Sequence, residues 1–180
     1  VTDQDSMGNP AMAQTGTVRV SSQGEMTLEL DFHSLQFAGM TGYLYQLRKV
    51  DMSTVEYNQY DYPVKYQAAD AQTLEEYTDI YDLFNDPASQ YYDQKTQGGW
   101  YPKKLSFPIQ PGDNMDYVEV YVPVMESIGE GQGTKVARLS IDWENLKQET
   151  GIERDNSALD ALLVQVAAMS LEGIPETYKN

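Results

Sequence analysis

Residues 26–32 alternate without a break. Met26, Leu28, Leu30 and Phe32 fall on one face, and Thr27, Glu29 and Asp31, continued by His33, on the other. A period of two belongs to a strand with one buried face and fits no helical stripe. The pattern recurs at residues 117–124, where Val118, Val120 and Val122 share a face. A loop carrying Gly129, Gly131 and Gly133 then leads to a returning strand at 136–143. Shorter strands are predicted at 17–22, at 104–109 and at 41–50, the last with Tyr43, Tyr45 and Leu47 on one face. Gln23-Gly24 and Pro111-Gly112 supply turns between them. Closely spaced strands without βαβ alternation predict an all-β core, an antiparallel sandwich.

Residues 51–104 change character and read as an insertion. Nine of the 14 tyrosines lie there, at positions 57, 60, 62, 66, 77, 81, 91, 92 and 101. Tyrosine among Asn, Gln and Ser gives contact area and hydrogen bonding together, which suits protein or glycan recognition. The same tyrosines could instead wall a small subdomain over the sandwich. Thr73-Leu-Glu-Glu76 has the form of a capping box, and Leu74, Tyr77, Ile80, Tyr81 and Phe84 follow at helical spacing. A helix is therefore predicted within the insertion, ended by Asn85-Asp86-Pro87, with Glu75, Asp79, Asp82 and Asp86 on its solvated face. Residues 144–155 are polar linker. A C-terminal helix is predicted at 157–170, where Leu159, Leu162, Leu163, Val166 and Met169 form one stripe before Gly173 and Pro175. The expected division is thus a sandwich over 1–143, with its insertion, and a linker plus helix over 144–180.

Chemistry is constrained mainly by exclusion. There is no cysteine, so disulfides, thiolate metal sites and a thiol nucleophile are ruled out. Twelve basic against 28 acidic residues give a net charge of -16, which opposes binding to nucleic acid or to an anionic membrane. No apolar run is long enough to span a bilayer, so no membrane insertion is expected. The single histidine, His33, faces solvent on the alternation, and no Gly-x-Ser-x-Gly elbow is present. Nothing in the sequence points to an enzyme. With no export signal or anchor of its own, the chain is expected to be an excised or processed piece of a larger protein.

Several segments taken in order carry a family likeness. A polar lead-in with Ser6-Met7-Gly8-Asn9 precedes a strand opening Gly16-Thr-Val18 and the long alternating strand. Near the end, Val118-Glu-Val-Tyr-Val-Pro-Val-Met125 leads through a loop to Ala137-Arg-Leu-Ser-Ile-Asp-Trp143. Over residues 5–50 and 102–143 this order resembles the NEAT (near iron transporter) domain, and looks closest to divergent versions in surface proteins of gut Firmicutes. The resemblance implies an immunoglobulin-like β-sandwich, extracellular or on a Gram-positive cell surface, with a role in iron acquisition. There haem slides between the short helix after the lead-in and the last hairpin, where a Tyr-x-x-x-Tyr pattern ligates iron. Carried over, the lip is Ser6, Met7 and Asn9, and the hairpin wall is Met125, Ile128, Val136 and Arg138, with Arg138 placed for a propionate. This chain departs from the pattern, because no tyrosine lies between Tyr121 and Trp143. Met125 and Met7 are then the candidate iron ligands, their thioethers suiting reduced haem; Met125 could instead be core or hairpin packing, and Met7 a lip contact or hydrophobic staple for the short helix. The expected function is a non-enzymatic module binding haem or a haem protein. The alternative is an adhesive or structural module that has lost haem and recognises a surface protein or glycan.

Overall fold

A computed structural model describes residues 8–37, 39–112 and 115–145. In chain order the strands are β1 (Thr17–Val20), β2 (Met26–Asp31), β3 (Leu35–Phe37), β4 (Met40–Gly42), β5 (Gln46–Val50) and β6 (Glu56–Tyr57). Then come β7 (Pro63–Lys65), β8 (Ala68–Asp70), β9 (Gln72–Tyr77), β10 (Tyr101–Ile109), β11 (Met115–Tyr121), a helical turn α1 (Pro123–Glu126) and β12 (Thr134–Ser140). Two four-stranded sheets result, ordered β1-β2-β10-β9 and β12-β11-β5-β8, with every neighbouring pair antiparallel. β3–β4 and β6–β7 are separate small hairpins.

The alternation in β2 fixes the first sheet. Leu28 and Leu30 lie opposite Phe107 and Leu105 of β10, and all four are buried. They meet Leu47, Val118 and Leu139 of the second sheet in one core cluster. Each such side chain contributes about 1.5–3 kcal/mol on leaving water. His33 is exposed and its neighbour Phe32 buried, as the period requires. The two sheets are joined directly between β8 and β9. Asp70 pairs with Arg48 in one sheet and Gln72 with Ser106 in the other, so Ala71 alone makes the crossing.

Three local expectations are corrected. The helix predicted from Thr73 is absent, and residues 72–77 form strand β9. β10 would otherwise have an open edge. Thr73, Glu76 and Tyr77 fill it opposite Leu105, Pro102 and Tyr101. A capping signal of about 1 kcal/mol does not compete with a ladder of backbone hydrogen bonds and the burial that accompanies it. Glu75 and Glu76 consequently point to opposite sides, and Leu74 is exposed rather than part of an apolar stripe. Second, the strand predicted over 41–50 breaks after Gly42, so that Leu44 and Leu47, rather than Tyr43 and Tyr45, enter the core. Third, a polar lead-in of this kind is expected to make a single turn of helix near Ser6 to Met12, and among the described residues that turn is narrowed to a 3-10 helix at Asn9–Ala11. Ser6, Met7 and the predicted helix at 157–170 lie outside the described residues.

The link from β11 to β12 is also more structured than a glycine loop. After α1, the Glu126 carboxylate accepts hydrogen bonds from the N–H groups of Gly131 and Gly133 at 2.9 and 2.8 Å. Those bonds hold its pKa below the usual carboxylate range. α1 packs on β4 so closely that a Cβ on Gly42 would sit 2.3 Å from Val124 Cγ1. Gly42→Ala is therefore expected to destabilise the fold by about 1–3 kcal/mol, read from denaturant unfolding.

Candidate functional site

The strand register gathers most loops at one end of the sandwich. Tyr77 closes β9 opposite Tyr101, which opens β10, and the Tyr77 hydroxyl donates to the Phe32 carbonyl at 2.9 Å. From the second sheet, Tyr45 N–H donates to the Tyr121 carbonyl at 2.9 Å. Tyr43 stacks on Tyr101 with centroids 5.0 Å apart and meets Tyr77 edge-on at 5.5 Å. Tyr45 meets Tyr101 edge-on at 6.3 Å. Offset and edge-to-face contacts of this kind each add about 0.5–1.5 kcal/mol beyond the area they bury.

Residues 78–100 connect β9 to β10 across this end, and a polar network gives them a fixed shape. Asn85 and Thr96 are 0% exposed. The Asn85 amide donates to the carbonyls of Ile80 and Gly99, both at 3.1 Å, and its oxygen accepts from Asp82 N–H at 2.7 Å. Asp82 Oδ1 accepts from Phe84 N–H and from the Tyr101 hydroxyl, each at 2.8 Å. The Thr96 hydroxyl donates to the Asp93 carbonyl at 2.7 Å, and the Thr96 carbonyl accepts from the Tyr45 hydroxyl at 2.7 Å. Asp93 accepts from the Tyr121 hydroxyl, and the Lys95 ammonium lies 4.0 Å above the Tyr121 ring. Burial first, and then the hydrogen bond to a carboxylate, push the hydroxyls of Tyr101 and Tyr121 well above the ordinary tyrosine pKa. Burial also raises Tyr45.

Two shallow clefts, each of about 220 Å³, flank this rigid loop. The first is walled by Tyr45, Gln46, Asp70, Thr73, Glu76 and Trp100. Trp100 is 38% and Tyr81 52% exposed, and their rings lie 5.8 Å apart at the rim. Asp70 accepts from the Gln46 amide at 2.8 Å and lies 3.6 Å from Arg48 Nε. Glu76 makes no hydrogen bond or ion pair among the described residues. The second cleft lies between the loop and α1, walled by Tyr91, Tyr92, Asp93, Pro123 and Glu126. Aromatic walls with carboxylate and amide acceptors suit a ligand that is apolar on its faces and rich in donors at its edges.

The residues named for haem are placed as follows. Asn9 starts the 3-10 turn, which is tied to β2 through a bond from His33 N–H to the Ala11 carbonyl at 2.7 Å and a bridge between Met12 and Phe32. Met125 is half-buried in α1, and Ile128 is exposed just beyond it. These three share the loop-bearing end. Val136 and Arg138 lie further along β12, opposite Glu119 and Tyr117. None of the five lines either cleft. Among the described residues no three His, Asp or Glu side chains gather as metal ligands, and no helix is long and apolar enough to cross a membrane. Trp100 and Asp70 were not singled out from the sequence, and Glu76 reads there as a capping-box residue rather than a site residue; the signals present were the Gly98-Gly99-Trp100 loop and the tyrosine-rich composition. No family model matches the chain, and no solved structure matches it.

Two outcomes follow from the network. Asn85→Ala removes the partners of three buried backbone groups and is expected to cost about 3 kcal/mol, with hydrogen exchange accelerating first in residues 78–100. The raised tyrosine values favour the protonated hydroxyl in the folded state. Their contribution is full below the ordinary value of about 10 and is lost as pH rises through the folded value. Tyrosinate absorbance and near-UV circular dichroism are therefore expected to change together in strong alkali.

Proposed function

We propose that the protein is a non-enzymatic, immunoglobulin-like module of a bacterial cell surface that binds a glycan at its loop-bearing end. The strand order supports the immunoglobulin-like type. With β1, β2, β5, β8, β9, β10, β11 and β12 taken as A, B, C, C′, D, E, F and G, an ABED sheet faces a GFCC′ sheet. The surface setting rests on the NEAT resemblance and on an acidic balance that keeps exposed domains dispersed.

The observation that carries the ligand class is the exposed Trp100–Tyr81 pair at the rim of a cleft holding Asp70, Thr73 and Glu76. A sugar ring lays its C–H face on an aromatic plane and directs its hydroxyls to carboxylate and hydroxyl acceptors. The loop is held before the ligand arrives, so little ordering entropy opposes binding. Trp100 is partly exposed with no packing role in the core cluster, which is the placement of a contact residue rather than a structural one.

Calorimetric titration across an array of bacterial and host glycans tests this. Trp100→Ala is expected to weaken the binding found by about tenfold, whereas Tyr60→Ala, on the β6–β7 hairpin at the opposite end, leaves it unchanged. Absence of binding to any member of the array would remove the glycan reading. Haem, the ligand implied by the NEAT resemblance, is tested in parallel. A saturable visible band on adding hemin or reduced haem, lost in Met125→Ala, would establish it instead.

A further inference from the structure

We infer that the Trp100 cleft selects a saccharide carrying a free, protonated amine over its N-acetylated counterpart; the inference rests on the glycan reading above. Two carboxylates face this cleft, Asp70 from the edge of one sheet and Glu76 from the edge of the other, and no Lys, Arg or His lines it. Their availability differs. Asp70 is shared with the Gln46 amide and lies near Arg48. Glu75 is turned away by the strand period and lies 3.6 Å from Lys103 and 4.0 Å from Lys104. Glu76, facing the other way, is left as an unneutralised carboxylate beside Tyr45 and Trp100.

An ammonium group answers each part of this arrangement. It offers three donors to a carboxylate and attracts an aromatic face within about 6 Å. An acetamido group has no charge to pair with Glu76 and adds bulk. The cleft volume of about 220 Å³ is below the ~300–1,000 Å³ of drug-sized sites, so it accommodates one ring rather than a longer segment. A neutral sugar offers Glu76 hydroxyl donors but no charge, so its hydrogen bonds there are weaker than an ammonium's.

The chain is acidic throughout, so any cation is drawn weakly to it, and the test must separate the cleft from that general attraction. The probes are the β-1,4-linked trisaccharide of glucosamine and its fully N-acetylated form, titrated calorimetrically at equal ionic strength below the amine's own titration. The amine form is expected to bind at least about tenfold more tightly. Glu76→Gln, nearly isosteric and exposed on an edge strand, weakens the amine form more than the N-acetylated form and brings the two within about twofold. Glu25→Gln, at the turn before β2, leaves the ratio as it was. Trp100→Ala weakens both. Equal or tighter binding of the N-acetylated form, still dependent on Trp100, overturns the amine preference and leaves the glycan reading standing. A ratio that Glu76→Gln does not move, or that Glu25→Gln lowers equally, assigns the preference to diffuse charge and overturns it too. No binding of either trisaccharide, in a protein that binds another glycan of the array, removes the amine inference alone; no binding to any glycan removes both.

Discussion

The hydrogen bond from Tyr101 to Asp82 is the joint on which the loop-bearing end depends. Tyr101 opens β10, is almost wholly buried and carries the rings of Tyr43 and Tyr45 from the second sheet. Asp82 belongs to the long connection that precedes it and orders the backbone at Phe84. One contact therefore ties the sheet interface to the loop. A connection as long as residues 78–100 is usually mobile unless its own side chains pack it. Here Asn85 and Thr96 do so from the inside, and Phe84 buries its ring beneath them. Most members of this buried polar network are satisfied, which holds the loop in shape, and Asp82 Oδ2 is the buried oxygen of the network that lacks a hydrogen-bond partner.

That rigidity gives the surface its character. The aromatic side chains left exposed on and beside the loop are held by backbone that cannot easily relax, which separates them from tyrosines scattered on a flexible tail. Strand period then sorts the charges. Two adjacent glutamates end up in unlike settings, one lying near lysines on the outer side and one facing a cleft without a cation. Neither carboxylate differs from the other in composition; the pleat, together with the register shifts of β10 against β9 at Pro102–Leu105, distinguishes them.

The legible parts of the sequence were those whose signal is local and repeated. The alternation of β2, the valines of β11 and the returning β12 specify strands with buried faces, and the structure has them. Thr73 to Phe84 failed for a nonlocal reason: the edge of β10, many residues later, needed a partner, and a local capping pattern cannot reveal that. The break after Gly42 has a similar origin, since only the approach of Val124 shows why that position must lack a side chain. The candidate site was least legible. Asn85 and Thr96 resemble ordinary turn residues in sequence, and their burial is set by Tyr45, Tyr101 and Gly99, which arrive from elsewhere in the chain.

The passage of the chain from one sheet to the other through Ala71 has a mechanical meaning. Asp70 and Thr73, on opposite walls of the Trp100 cleft, belong to different sheets yet stand only three residues apart in the chain. The covalent backbone thus works as a short tether across the sandwich at that edge, and the gap it spans cannot open farther than a few extended residues allow.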